Sequence, residues 1–274
     1  MPAQLPSSIV LVGAGKMGQA MLNGWLALGL DPAHVTAIDP FLDERGRALL
    51  TEKGVRIERQ PDGLARPEAL ILAIKPQTLE SAAGGLRALI GAETLVLSIL
   101  AGKRISDLAA RLGEKAMIVR AMPNTPAAVG RGISAVVASP DVGASQRGAA
   151  DALLSAVGKV EWLDDEALID AVTAVSGSGP AYVFLLAECL GAAGARAGLP
   201  ADLAMRLARA TVEGAGELLF REPGTDAATL RRNVTSPAGT TAAALEVLMG
   251  KAGLAPLMEL AVAAATRRAH ELAG

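Results

Sequence analysis

Aromatic side chains are scarce. The 274 residues hold three Phe, two Trp and one Tyr, 2% of the chain. That excludes a stacking surface for single-stranded nucleic acid and an aromatic-rich β-sandwich. Cys189 is the only cysteine, so no intramolecular disulfide can form and a Cys-ligated metal site lacks material. With Leu185, Leu186 and Leu190 around it, it reads as a small buried apolar residue. His34, in a loop, and His270, near the C-terminus, are the only histidines, and neither H-E-x-x-H nor G-x-S-x-G occurs. A hydrolase or a metalloenzyme would need such groups, and no metal is expected. Charge of one sign is also lacking. The 26 basic and 28 acidic residues leave a net charge of −2, so nucleic acid is not an expected partner. The longest uncharged stretch, 171–187, is broken by Ser176-Gly177-Ser178-Gly179-Pro180 and does not read as a membrane span. The opening MPAQLPSS has neither a basic segment nor an apolar core and does not read as a signal peptide. A cytoplasmic protein with no membrane partner is the expectation.

What the chain has is aliphatic. Hydrophobic residues make up 51%, and alanine alone about a fifth, which favours helices and their close approach. Up to Trp162 short apolar runs alternate with helical segments. The runs are 8–12, 35–38, 70–74, 95–100, 118–121 and 133–138, and the helical segments include 17–28 and 106–112. Apolar strands with helical crossovers imply a parallel sheet covered on both faces. After Trp162 only helices are expected, over 167–175, 181–197, 203–220, 227–233, 241–249 and 256–272. The fold class is therefore α/β followed by all-α. A Rossmann-type, doubly wound, mostly parallel sheet is expected over 1–162, and a helical substrate-binding and dimerisation domain over 163–274.

Gly13-Ala14-Gly15-Lys16-Met17-Gly18 is G-x-G-x-x-G between a strand and a helix, the context that gives this pattern meaning. Gly13 permits the tight turn, Gly15 the close approach of a pyrophosphate, and Gly18 the packing of helix on strand. The helix N-terminus offers free N–H groups to the phosphates. Asp39 ends the second strand, 21 residues after Gly18. Its carboxylate suits ribose hydroxyls and repels a 2′-phosphate, which mildly favours NADH over NADPH. The alternative is that Asp39 only caps the next helix, and Arg45 and Arg47 could still accommodate a phosphate.

Further segments sit where ligands bind in open α/β sheets: Ala73-Ile74-Lys75-Pro76 and Arg120-Ala121-Met122-Pro123-Asn124-Thr125-Pro126, both at strand C-termini. The two prolines stiffen the second of these. Ser176–Tyr182 (SGSGPAY) separates two helical runs, and Ser236-Pro237-Ala238-Gly239-Thr240-Thr241 precedes a helix whose free N–H groups suit a carboxylate. Together with SILAG (98–102), these segments resemble pyrroline-5-carboxylate reductase almost end to end.

The resemblance implies NAD(P)H-dependent reduction of 1-pyrroline-5-carboxylate to L-proline, the last step of proline biosynthesis. It implies that Gly13, Ala14, Gly15, Lys16, Met17, Gly18 and Asp39 hold the dinucleotide. Ala73, Lys75 and Pro76 would line the cofactor site, and Met122, Pro123 and Asn124 would lie by the nicotinamide. Ser236, Gly239, Thr240 and Thr241 would receive the cyclic imino acid, with the Thr241 hydroxyl orienting the imine. It also implies interlocking helices, a homodimer or larger ring, and active sites between one subunit's Rossmann cleft and its neighbour's helices. Ala238 stands where the family often has a second glycine, so that turn is expected to differ slightly.

Imine reduction does not need the groups this chain lacks. A protonated imine is already electrophilic, so the protein has to orient the partners and exclude water. A β-hydroxyacid dehydrogenase would need a lysine acid/base in the helical region, yet none occurs between Lys159 and Lys251. A non-catalytic dinucleotide sensor is the alternative of another class. Lys75 either neutralises cofactor charge or caps the sheet. Glu188, Glu213 and Glu217 read as a solvated face or a subunit contact, and Arg231-Arg232 and Arg267-Arg268 as helix-end or interface charges.

Overall fold

The computed structural model describes residues 5–273, so the first four residues of MPAQLPSS lie outside it. Eight strands form one sheet: β1 (Ile9–Val12), β2 (Val35–Ile38), β3 (Arg56–Glu58), β4 (Ala69–Leu72), β5 (Leu95–Ser98), β6 (Met117–Met122), β7 (Gly132–Ala138) and β8 (Gly158–Trp162). Their order is β3-β2-β1-β4-β5-β6-β7-β8. Every pairing is parallel except β6 with β7. Between them run α1 (Lys16–Ala27), α2 (Glu44–Glu52), α3 (Leu79–Leu86), α4 (Ile105–Leu112) and α5 (Ala144–Ser155). The first six strands stand in the order of a doubly wound dinucleotide-binding sheet.

The side-chain alternation of the strands builds two cores. Ile9, Leu11, Ala69, Ile71, Leu95 and Leu97 face α1 and α5, where Met21, Leu22, Trp25, Leu153 and Leu154 meet them. Val10, Val12, Leu70, Leu72, Val96 and Ile118 face Leu79 and Leu86 of α3 and Leu108 and Leu112 of α4. Both faces are covered, which is why the central strands are apolar throughout rather than alternating. Trp25 is fully buried, and its indole N–H donates to the Leu153 carbonyl at 2.8 Å, satisfying its one polar atom.

The remaining helices are α6 (Leu168–Val172), α7 (Gly179–Arg196), α8 (Ala201–Arg221), α9 (Ala227–Asn233), α10 (Thr240–Leu248) and α11 (Leu254–Ala273). The chain divides into two compact units. One runs to Gly177 and takes in the segment from Thr266; the other is Ser178–Ala265. In the second, α7 packs on α8 through small residues. A Cβ on Gly191 would lie 2.8 Å from the Met205 methyl, and one on Gly194 would lie 3.2 Å from the Ala204 Cβ. Only Gly191, Ala204 and Ala208 of these two helices are buried, and no described residue of α9, α10 or α11 is.

Two expectations need correcting. Ser176–Pro180 does not break the helical run. One turn of π-helix, Thr173–Gly177, joins α6 towards α7. Pro180 has no N–H, and its ring clashes with the carbonyl four residues back, that of Ser176. Widening the turn relieves that clash. The run 168–196 is therefore long and apolar enough to cross a membrane, with mean hydropathy 1.3 and 11% of its most apolar window buried. Cys189, expected inside, is exposed on α7, because that helix turns Leu185, Leu186 and Leu190 outward as well. Two phenylalanines also face outward: Phe41 is 85% exposed and Phe184 69%.

Candidate active site

The first unit carries the glycine loop where the sheet order reverses, between β2 and β4 on either side of β1. Gly13 has φ +97°, and a Cβ there would stand 2.6 Å from the Ala73 carbonyl oxygen. Only glycine fits, for conformation and space alike. A Cβ on Gly18 would meet the Gly13 carbonyl at 2.2 Å, so α1 rests on the loop itself. Gly15 differs: nothing lies within 4 Å of where its Cβ would stand. It is the N-cap of α1, with no side-chain cap and no acidic residue in the first turn. Open space before an uncapped helix start suits an anionic diphosphate.

Asp39 is not the cap of α2, whose N-cap is Asp43 with its side chain accepting from the Gly46 N–H. The Asp39 Oδ1 accepts from the Phe41 N–H at 2.9 Å, a local turn, and its Oδ2 accepts from the Ala14 N–H at 2.9 Å. Gln19 braces the same loop by donating to the Ala14 carbonyl at 2.7 Å. Each carboxylate oxygen keeps a lone pair for a ribose hydroxyl. The orphaned Nη2 of Arg47, buried without a partner, lies on α2 just beyond. On the other flank Ala73 donates its N–H to Val12 at 2.8 Å. Lys75 is exposed beside it, and Pro76 opens a 3₁₀ turn. Lys16 is exposed and Met17 half-buried.

At the end of β6, Met122 is half-buried, and Pro123 and Asn124 are buried. Asn124 turns its side chain into the protein, where it bonds the Ile133 N–H at 3.0 Å and the Ser176 hydroxyl at 3.2 Å. The Met122 methyl lies 2.8 Å from where a Cβ on Gly177 would stand. Arg120, 4% exposed, pairs with Glu166 at 2.7 Å. The same Glu166 oxygen accepts the Ile105 N–H at the start of α4. The sequence alone does not mark Ser176, Glu166 or Phe41 as site residues. Ser176 lies within the SGSGPAY motif, and Phe41 stands two residues from Asp39 in a chain with few aromatics. Nothing local marked Glu166 as the partner of Arg120.

The second unit holds Ser236–Thr241. The Gly239 N–H closes a turn onto the Ser236 carbonyl at 3.1 Å, and Gly239 is the uncapped N-cap of α10. Ala238 has φ 55°, the only positive φ outside glycine among the described residues. The turn thus keeps a glycine-type conformation with alanine in it. Ser236 and Thr240 are exposed, and Gly239 and Thr241 are half-buried. Glu213 and Glu217 pair with Arg209 and Arg221 one turn away, as a solvated face does. No cluster of His, Cys, Asp or Glu that could hold a metal occurs among the described residues.

Two family models match. One, described as pyrroline-5-carboxylate reductase dimerisation, covers residues 166–272. The other, described as NADP oxidoreductase coenzyme F420-dependent, covers 8–102. The chain is 40% identical to a pyrroline-5-carboxylate reductase of Pseudomonas aeruginosa over 97% of its own length and 96% of the relative's. It is 38% identical to one of Arabidopsis thaliana over 95% and 94%. Among solved structures, a pyrroline-5-carboxylate reductase from Coxiella burnetii superposes with a TM-score of 0.91 at 33% identity, covering 98% of this chain and 99% of that one. The Plasmodium falciparum enzyme with NADP bound gives 0.82 at 26%, covering 99% and 100%.

Proposed function

The chain belongs to the pyrroline-5-carboxylate reductase family, and from that premise we propose that it reduces 1-pyrroline-5-carboxylate to L-proline with a reduced nicotinamide dinucleotide. It is then an oxidoreductase acting on a C=N bond, at the last step of proline biosynthesis. The observation that carries this reading is the near-complete coverage of relatives so named, at 35–40% identity. The glycine loop at the switch point supports it independently.

When bound, the reduced dinucleotide would supply the hydride for the imine carbon, whose nitrogen already carries its proton. The work left to the chain is binding and orientation. Residues 1–162 are assigned the dinucleotide. Gly13, Gly15 and Gly18 shape the loop, and the N–H groups from Gly15 to Gly18 take the diphosphate. The Asp39 carboxylate takes ribose hydroxyls, which favours NADH. Ala73, Lys75 and Pro76 form one wall, and Met122 and Pro123 lie by the nicotinamide with Asn124 as the brace behind them. Residues 163–274 are assigned the substrate and the subunit contact. Ser236, Gly239 and Thr240 receive the carboxylate at the start of α10. The Thr241 hydroxyl accepts from the iminium N–H and so fixes which face of the ring is presented. A threonine hydroxyl is a poor acid, so its part is orientation.

Association of copies follows from the outward-facing apolar side chains of α7, α8, α10 and α11 and from the dimerisation family model over 166–272. A homodimer, alone or within a larger ring, would cover them, with the helices of one copy completing the cleft of another. The apolar run 168–196 falls wholly within that matched segment, which favours a subunit contact, and with it a cytoplasmic protein, over a membrane span. Steady-state kinetics with 1-pyrroline-5-carboxylate and each reduced coenzyme test the reading. Proline formation with higher efficiency for NADH is expected; coenzyme binding without turnover would refute it.

A further inference from the structure

Phe41 is held out into solvent on a rigid turn. Pro40 fixes the backbone before it. The residue after it, Leu42, packs on the core and is clamped by α2, where a Cβ on Gly46 would stand 2.7 Å from its Cδ1. The Phe41 N–H is bound by Asp39 Oδ1 at 2.9 Å, while Oδ2 of that carboxylate holds the Ala14 N–H of the glycine loop at 2.9 Å. One carboxylate therefore fixes the backbone of the loop and the backbone that carries the ring. In a chain with six aromatics, whose Trp25 is fully buried, this ring is 85% exposed.

Resting on the reading of this loop as the dinucleotide site, we propose that Phe41 is the stacking platform for the adenine base of the coenzyme. The moiety next to a ribose on Asp39 is a flat purine, and every purine offers a π-face to an aromatic ring. A phenylalanine has only two side-chain torsions to fix, so a ring already positioned by its turn binds with little ordering cost.

The test uses full-length Phe41→Ala and Phe41→Trp. Binding of ADP-ribose is measured by titration calorimetry. Steady-state rates are measured with NADH and with reduced nicotinamide mononucleotide, which has no adenine. For Phe41→Ala the Kd for ADP-ribose and the KM for NADH should rise on the order of tenfold with kcat kept. Efficiency with the mononucleotide should stay within about twofold. Phe41→Trp should restore ADP-ribose affinity, and its added indole emission should be quenched by that ligand. An unchanged ADP-ribose Kd in Phe41→Ala overturns the proposal, and so does an equal loss with the mononucleotide, which would mean local damage. A smaller oligomer with ADP-ribose affinity intact would assign Phe41 to a subunit contact and also overturn it. ADP-ribose binding requires no turnover, so failure of the reductase reading is distinguishable from failure here.

Discussion

Asn124 donates its side-chain N–H to the Ser176 hydroxyl at 3.2 Å, while its side-chain oxygen accepts from the Ile133 N–H at 3.0 Å. The second bond dictates the first, because an amide oxygen turned to Ile133 aims the nitrogen the other way. The π-turn supplies the hydroxyl. Thr173 bonds back to the Ile169 carbonyl at 2.8 Å, which bends helices, and the widened turn sets Ser176 on Asn124 and Gly177 against Met122. π-turns of this kind recur at functional sites.

Ser176→Ala should therefore lower kcat by about two- to tenfold, the worth of one hydrogen bond, with the KM for coenzyme little changed. Ser176→Thr should restore most of the rate. Added to Asn124→Ala, Ser176→Ala should cost nothing further. A full additive loss in the double variant would separate the two residues.

Glu166→Gln should be strongly destabilising. It leaves the buried Arg120 guanidinium without its counter-charge, a loss of about 3 kcal/mol. Denaturant unfolding would show it as a lower midpoint. A midpoint equal to the parent's would mean that water reaches Arg120 in solution.

Ala238→Gly should raise stability. Alanine in a left-handed conformation costs about 1–2 kcal/mol, and the extra freedom of glycine in the unfolded chain returns about 0.4–1 kcal/mol of that. A net gain of up to about 1.6 kcal/mol should appear as a higher Tm. A lower Tm would mean that the alanine methyl makes contacts worth more than the strain.

Glu68 links β4 to the start of β1. It accepts from the Ser7 hydroxyl at 2.6 Å and the Ser7 N–H at 2.8 Å. These bonds, the hydroxyl first, hold its carboxyl below the usual 4.5. A carboxylate lowered on folding stabilises the protein above its unfolded value, and that contribution fades as pH falls through the lowered one. Unfolding measured from neutral pH down past 4.5 should therefore depend less steeply on acid in Glu68→Gln. Identical profiles would show that the link contributes nothing.

The sequence announced its long apolar strands and its glycine loop, because period and punctuation agree there. It did not announce β3, three residues on the sheet edge that include Arg56 and Glu58. Nor did it announce β8, whose charged Lys159 and Glu161 alternate with Val160 and Trp162. In α3, paired Gly84 and Gly85 hide a helical turn. At the site, the three glycines could be given roles because each role is a backbone requirement. The Arg120–Glu166 pair could not, since 46 positions separate its members and either charge alone looks like surface. The sequence places Asn124 in the ligand loop, and only the fold reveals Ile133 and Ser176 as the partners of its side chain.

The scarcity of buried residues in α9, α10 and α11 bears on how this protein responds to dilution. Helices with so little interior of their own, in a segment that a dimerisation family model matches, gain stability from association, and that gain follows mass action. Dilution should therefore lower the stability of α9, α10 and α11 before that of the sheet, which has a core on each face.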